Sequence, residues 1–349
     1  MKKFLSIVLS ILMVASLSFS AFAASSEAVV KTTSGKFGIT EMIDKNYRVI
    51  RTFKRDEVNN NIQARLGKID YSETKAMLLE LGMEQDFIDK LSLDSLETYR
   101  RSKQLIGITS YTKSDADHNV EYVEEDVALA ASAIINEAQQ ERIKLLANGD
   151  KVVQTRAQDT YEDSYMRVFY LVTHLGDGEY KYSTDARWLT MPMFRGKDSI
   201  GSCAQNGTVT PGTQYGWYEY DVTHTNFGRI TYSYYNADIS SSNYKNAVNG
   251  NWYGSAAIID LPNDIFADYT NTVYTNYKVH FEYTGYVNYP ELVSHFNTSG
   301  TYLHSTLHIE LTAPSVSLNI FGNGSASIGI RVTGFKEIRS VELAITYRP

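Results

Sequence analysis

Residues 316–332 read Val-Ser-Leu-Asn-Ile-Phe-Gly-Asn-Gly-Ser-Ala-Ser-Ile-Gly-Ile-Arg-Val. Apolar residues alternate with small or polar ones on both sides of the glycine pair at 322–324. Alternation of this kind places one set of side chains on each face of a β-strand. A Gly-Asn-Gly run between two such strands is typical of a tight hairpin turn. The stretch therefore predicts two antiparallel strands with one buried and one polar face.

The same alternation recurs through the second half of the chain. In residues 303–311, the leucines and Ile309 alternate with polar residues that include His304 and His308, which places both histidines on the polar face. Similar patterns predict further strands at 166–173, 215–222, 229–235, 277–284 and 341–347. Many short strands with turns between them are typical of an antiparallel sandwich.

Composition divides the 349 residues near position 160. Charged residues number 42 of the 137 in 24–160 but 29 of the 189 in 161–349, whereas 21 of 26 tyrosines and all three tryptophans follow residue 160. Charged, Ala- and Leu-rich sequence favours helix, and Tyr- and Thr-rich sequence favours strand. We therefore expect an α+β chain in which a mostly helical region, 24–148, precedes an antiparallel, Tyr-rich β-sandwich at 163–349. A linker at 149–162 would join them.

Helices can be placed within the N-terminal region. Three short helices are expected in 72–104, with Ser72 capping the first and Gly82 ending it. Either Asp94 or Ser95 would begin the third. A longer helix is expected at about 120–146, where apolar residues recur at helical spacing. The whole region could also be a pro-region that is removed at the linker.

The first 23 residues have the three parts of a secretory signal peptide. Lys2 and Lys3 precede an apolar run at 4–19, and Ala21 and Ala23 suit a cleavage site. No second apolar run is long enough to span a membrane. A single cysteine, Cys203, excludes an intrachain disulfide. These features predict a protein secreted by a Gram-positive bacterium.

The charge and motifs argue against several classes of ligand. A net charge of −7 argues against nucleic-acid binding. The chain lacks the glycine-rich motifs that bind phosphate groups. Residues 115–126 match part of a calcium loop, but Val120 stands where the sharp turn needs glycine. His304 and His308 would lie about 13 Å apart on a strand, too far for one zinc ion. No cofactor and no metal are expected.

Two groups of residues are candidates for catalysis. Cys203 lies in a turn-like stretch at 201–206 without a recognisable cysteine-peptidase motif. Glu219 and Asp221 would face the same side of a strand, about 7 Å apart, as an acid/base pair could. Solvated strand faces have the same pattern, so no catalytic residue is assigned. A secreted hydrolase with an unrecognised site stays an alternative.

The second half of the chain contains more aromatic residues than a buried core alone would require. Exposed tyrosine and tryptophan rings can stack on amphipathic ligands such as sugars. The alternative is that tyrosine serves there as a good strand former. We take the cluster as candidate ligand-binding residues for a cell-wall glycan or another extracellular ligand: Tyr215, Trp217, Tyr220, Tyr232, Tyr234, Trp252 and Tyr253. Ser/Thr-rich segments in the same half leave a membrane-active β-pore as a further alternative.

Overall fold

A computed structural model describes twelve stretches of the chain. They are 29–32, 35–55, 70–115, 117–147, 163–192, 195–226, 228–266, 270–288, 295–305, 316–320, 326–330 and 336–346. The expected signal peptide at 1–23 and linker at 149–162 lie outside these residues, and so does His308.

The described elements are mostly strands. The helices are α1 (Tyr71–Glu80), α2 (Gln85–Ile88), α3 (Leu93–Arg101) and α4 (Glu125–Ala147). The strands are β1 (Val29–Thr32), β2 (Thr40–Ile43), β3 (Val49–Lys54), β4 (Gln104–Ser114), β5 (Val120–Val123), β6 (Ser164–Gly176), β7 (Glu179–Trp188), β8 (Lys197–Gln205), β9 (Gly207–Val209), β10 (Tyr215–Asn226), β11 (Arg229–Asp238), β12 (Tyr244–Asn249), β13 (Trp252–Asp260), β14 (Ile265–Phe266), β15 (Thr270–Val287), β16 (His295–Ser305), β17 (Val316–Ile320), β18 (Ala326–Ile330) and β19 (Lys336–Thr346).

The strands form three antiparallel sheets. The large sheet has the order β1-β2-β3-β4-β6-β7-β15-β10-β11, with β5 beside β4, and β9 and β14 beside β15. The small sheet has the order β12-β13-β8-β16-β19. The predicted hairpin is present as the pair β17-β18, in which Val316 pairs with Ile330. The chain is therefore predominantly antiparallel β-structure with few helices.

The large sheet is covered on both faces. One face packs against the small sheet, and between them lies the main core, which includes Tyr170, Tyr182, Ile200 and Tyr302. The other face carries α1–α3, whose Leu78, Phe87 and other apolar residues pack on Phe169 and Leu171. Helix α4 packs on the same face, where its Ala128 contacts Tyr111 of β4 and Tyr165 of β6. The sandwich that the sequence predicts is thus extended by a layer of helices.

The expectation of a mostly helical N-terminal region is wrong in part. Helices are present at the predicted places, but β1 to β5 also come from this region. Val49–Lys54 and Gln104–Ser114 are rich in β-branched and apolar residues, which favour strands. In the described part of this region, most of the charged residues lie on helices and turns and not on the strands. The boundary at 149–162 stays a prediction, although β4 and β6 on its two sides pair along their whole length.

Helix boundaries differ from the sequence prediction for local reasons. Asp70, not Ser72, caps α1, because its carboxylate accepts a hydrogen bond from the Glu73 amide at 2.9 Å. Ser92 caps α3 in the same way, so this helix begins before Asp94. Helix α4 begins at Glu125 because residues 120–123 pair with β4 as a strand.

The expectation of one buried and one polar face also fails for the central strands. In β16, Leu303 and His304 are adjacent in sequence and both are buried. His304 does not lie on a solvent face, and its Nδ1 is 2.9 Å from Asp198 Oδ1. Strands that are covered on both faces cannot keep a solvated side, so their polar residues must bond to one another.

Candidate functional site

A groove runs between α4 and the large sheet. The first turns of α4 pack on β4 and β6, and its last turns lie against β10. Beneath the middle of the helix, two hollows of about 570 Å³ and 430 Å³ open over β11, β10, β15 and β7. Both hollows are open depressions of the surface and not enclosed cavities.

The first hollow contains two of the predicted aromatic residues. Tyr232 and Tyr234 lie on the same face of β11, with 69% and 56% of their surface exposed. Asp221 of β10 and Gln140 of α4 line the same hollow. Two flat rings beside a carboxylate and an amide offer both stacking and hydrogen bonds to one ligand.

Tyr234 is held in place from below. Its hydroxyl donates to Glu219 and accepts a hydrogen bond from Lys90 Nζ at 2.8 Å. Burial, and then the charge of Asp221, raise the pKa of Tyr234, so the hydroxyl stays protonated. Glu219 also bonds Lys278 Nζ at 3.1 Å. The ring is therefore pre-positioned, whereas Tyr232 is the more exposed of the two rings.

The second hollow is lined by amides and apolar side chains. Asn136 and Gln139 of α4 face Arg187 and Met191 across it. Asn136 Nδ2 donates to the carbonyl of Leu189 at 2.9 Å, which ties the helix to the chain just after β7. Arg187 is the charged residue of this described lining, as Asp221 is of the first.

A β-bulge lies where the two hollows meet. The pairing of β10 with β15 shifts between Glu219 and Asp221. Asn276 at this point has φ 55°, a left-handed conformation in which asparagine is tolerated better than most residues. Its Nδ2 donates to Asp221 Oδ2 at 3.1 Å. Bulges often lie next to functional sites, and through Asn276 this one places a hydrogen-bond donor on Asp221, which lines the first hollow.

The structure does not bring the seven predicted aromatic residues together. Trp217, Trp252 and Tyr253 are each only 2% exposed, so the expectation of an exposed platform built on them is wrong. Helix α2 covers Trp217, whose ring lies 5.2 Å from that of Phe87. Trp252 packs with Cys203 and Ala256 on the small sheet.

The remaining aromatic candidates have different environments. Tyr253 lies between the sheets, 3.0 Å from the Tyr182 hydroxyl. Tyr220 faces the side opposite the groove and stacks on Tyr235, with ring centres 4.8 Å apart. Tyr215 is 37% exposed at the far end of β10 and donates to Asp238. Tyr232 and Tyr234 are the predicted aromatic residues that line the groove.

The sequence did not indicate the other groove residues. Gln140, Asn276 and Arg187 are common polar types without a motif, and they lie on three separate elements. Positive φ at Asn276 depends on a bulge that only the pairing of β10 with β15 reveals. The sequence did indicate Asp221, but as one member of a possible acid/base pair with Glu219.

That acid pair is not available for chemistry. Glu219 is 3% exposed and bonds Lys90, Lys278 and Tyr234. A glycosidase needs two carboxyl groups on either side of its substrate. In the described lining of both hollows, Asp221 supplies the only carboxylate.

The other candidate chemical groups are accounted for structurally. Cys203 is fully buried in the central strand β8 rather than in a turn, because β13 and β16 pair with it on both sides. Asp115 accepts bonds from the amides of Asp117 and Asn119 and so closes a turn before β5. Within the described part of the chain, His, Cys, Asp and Glu form no group of three suited to a metal ion.

A buried charged cluster lies beside the groove, under α3. His280 Nδ1 is 2.5 Å from Asp185 Oδ1, and its Nε2 is 3.4 Å from Glu282 Oε2. Burial opposes a charge on His280, but these carboxylates outweigh it and raise the pKa of the imidazole to about 9. Burial likewise opposes ionisation of Glu282, but Lys181 at 2.8 Å and His280 lower its pKa. All four side chains are buried, so the cluster holds elements together and does not meet a ligand.

Comparisons with known proteins identify neither a family nor a function. No family model and no curated protein matches the sequence. Among solved structures, AvmM, which catalyses macrocyclisation in alchivemycin A biosynthesis, is 7% identical with a TM-score of 0.23, over 49% of this chain and 82% of that chain. The pilus backbone RrgB of Streptococcus pneumoniae is 8% identical with a TM-score of 0.21, over 48% and 67%.

A third similar structure is the collagen-binding subdomain of the Enterococcus faecalis surface protein ACE. It is 7% identical with a TM-score of 0.18, over 48% of this chain and 88% of that chain. At these scores, likeness to an enzyme, a pilus subunit and an adhesin does not assign a function. Within the described residues, no helix combines the length and apolar character needed to cross a membrane.

Proposed function

We propose that this chain is an exported, non-catalytic protein that binds an extracellular glycan or cell-envelope polymer in the groove between α4 and the large sheet. The observation that carries the proposal is the pair of exposed tyrosine rings, Tyr232 and Tyr234, inside a concave site. Sugar rings have apolar faces and hydroxyl edges, which match aromatic rings and carboxylate or amide groups respectively.

Three further observations support this proposal. The groove is built largely on strands and one helix, which hold a binding site more rigidly than loops do. Tyr234 is oriented in advance by Lys90 and Glu219, which lowers the entropy cost of binding. A single carboxylate in the described lining suits recognition and lacks the partner that glycoside hydrolysis requires.

The first experiment is calorimetric titration of the chain without residues 1–23 with soluble N-acetylglucosamine oligomers and with isolated Gram-positive cell walls. Tyr232→Ala is expected to weaken binding by roughly 2 kcal/mol, as loss of an anchor residue does. Its stability should change little, because the side chain is 69% exposed.

Tyr286→Ala is the matched control. Tyr286 is a 42% exposed tyrosine on β15, outside the groove lining. It should bind as the unchanged protein does. Equal affinity of the Tyr232→Ala and unchanged proteins, or no binding of either glycan, would reject the proposal. The β-pore and hydrolase alternatives stay predictions that no observation here favours.

A further inference from the structure

The two hollows are neighbours beneath α4. Gln140 of α4 and Thr275 of β15 line both of them. Asp221 in the first hollow and Asn276 in the second are joined by a hydrogen bond of 3.1 Å. The two hollows therefore adjoin at the bulge, and a ligand that occupied both would pass over this hydrogen bond.

The direction of the groove follows from the order of the strands. The first hollow lies over β11 and β10, and the second lies over β15 and the end of β7. These four strands are consecutive neighbours in the sheet, so three spacings separate the outer two. At about 4.8 Å per spacing, the floor extends for roughly 14 Å across the strands. One sugar ring is too short to contact both ends.

The charges along the floor favour a neutral ligand. Asp221 lies close to the midpoint and would repel an anionic group there. Arg187 is the only cation in the described lining, and its Nη1 is 3.2 Å from Glu84 Oε2. Glu84 also contacts Arg167 at 3.5 Å, so it offsets only part of the charge of Arg187, and the described lining carries one anionic and one cationic side chain. The rest of the lining consists of hydroxyl, amide and apolar side chains.

We infer that the groove binds a linear, neutral oligosaccharide lengthwise across the strands, with one part on Tyr232 and Tyr234 and the other part in the hollow beneath Ala133. This inference rests on the proposed function and adds to it the length and charge of the ligand. Hydroxyl groups of the sugar next to the bulge would donate to Asp221.

The test is titration with N-acetylglucosamine oligomers of one to six units, at one temperature and salt concentration. Affinity is expected to rise at least tenfold between one and three units and then to level off, because a floor of roughly 14 Å accommodates about three sugar rings. Galacturonic acid oligomers of the same lengths, which carry one carboxylate per unit, should bind at least tenfold more weakly.

Two tryptophan substitutions on α4 show where the added units lie. Ala133 is exposed and lines the second hollow, so Ala133→Trp should fill it without disturbing the core. It should remove the gain from one to three units and leave binding of the single sugar unchanged. Ala130→Trp is the control, since Ala130 is exposed on the same helix but does not line the groove.

The outcomes separate this inference from the proposed function. If the oligomers bind and Tyr232→Ala weakens them, but affinity is independent of length or of Ala133→Trp, the extended mode is wrong and glycan binding stands. Stronger binding of the galacturonic acid series would overturn the neutral ligand. If no oligomer binds at any length, the proposed function fails for this glycan and the inference fails with it.

Discussion

At the scale of single residues, His280 shows how the interior accommodates charge. The imidazole lies between Asp185 and Glu282 and stacks on Trp217, with ring centres 5.7 Å apart. A buried charge is tolerated when partners and hydrogen bonds compensate its lost hydration. Removing one member therefore costs more than the bond itself, because the remaining charges stay buried.

The pH dependence of stability should reveal this histidine. Its pKa is raised from 6.5 to about 9 on folding, so the folded state binds the proton more tightly than the unfolded state. The stabilisation is fully present below pH 6.5 and is lost as the pH rises to 9, a change of about 3 kcal/mol. Urea melts of the unchanged protein and of His280→Gln at several pH values measure this change in the free energy of unfolding.

The expected result is a difference between the two proteins that is largest near pH 6 and shrinks toward pH 9. Comparison with the variant removes contributions from titrating groups that do not interact with His280, whereas Asp185 and Glu282 respond to the substitution. A difference that stays constant across this interval would show that His280 is neutral in the folded protein.

At the same scale, Asp221 is the charged group that a ligand in the groove would meet. Asp221→Asn keeps the size and the contact with Asn276 but removes the charge. Hydrogen bonds to a charged partner are worth about 1.5–3 kcal/mol, against about 1 kcal/mol for neutral ones. We therefore expect about tenfold weaker binding of neutral oligomers by calorimetry, with an unchanged melting temperature. Unchanged affinity would exclude contact between Asp221 and the ligand.

At the scale of elements, the β-bulge and α4 create the groove. The bulge depends on the left-handed backbone of Asn276. Asn276→Ala should destabilise the protein by about 1 kcal/mol more than Asn276→Gly, because a Cβ without a polar group is disfavoured at positive φ. Both variants lose the same bond to Asp221, so thermal melts of the pair isolate the backbone effect. Equal stability would mean that the bulge relaxes at no cost.

Near its start, helix α4 is anchored to the sheet through Ala128. Ala128 is fully buried against Tyr111 and Tyr165, whereas Ala130 is exposed two positions later. Ala128→Glu should lower stability by about 3 kcal/mol, since it buries an unpaired charge or detaches the helix. Ala130→Glu should change the melting temperature little. If the two substitutions had equal effects, the helix would not be anchored at Ala128.

At the scale of the whole molecule, the large sheet joins residues that lie on both sides of the predicted linker. The fragment 163–349 would lack β4, the hydrogen-bonding partner of β6, and would expose Phe169, Leu171 and Trp217. Exposed edges and apolar patches promote aggregation. We expect this fragment to be insoluble or to lack a cooperative melt, whereas the chain from residue 24 melts cooperatively. A monomeric fragment with the same melting temperature would instead support separate domains.

Local patterns of the sequence determined much of the secondary structure. Alternation predicted the hairpin at 316–330 and most of β6, β10 and β11, because side-chain direction in a strand depends only on position along it. Helix propensity and stop signals placed α1 to α3, because these signals also depend only on residues close together in the sequence. Two of the seven aromatic candidates, Tyr232 and Tyr234, are exposed in the groove, and the ligand-binding role of the seven stays a prediction.

Burial and the shape of the groove were decided by the tertiary structure alone. Trp217 and Tyr232 belong to neighbouring strands of the same type, yet α2 covers the first and leaves the second exposed. Which helix lies over which strand results from contacts between residues far apart in the chain, as in the packing of Phe87 on Trp217. Local periodicity contains no information on such contacts, so it could predict that these aromatic rings alternate on their strands but not which of them meet solvent.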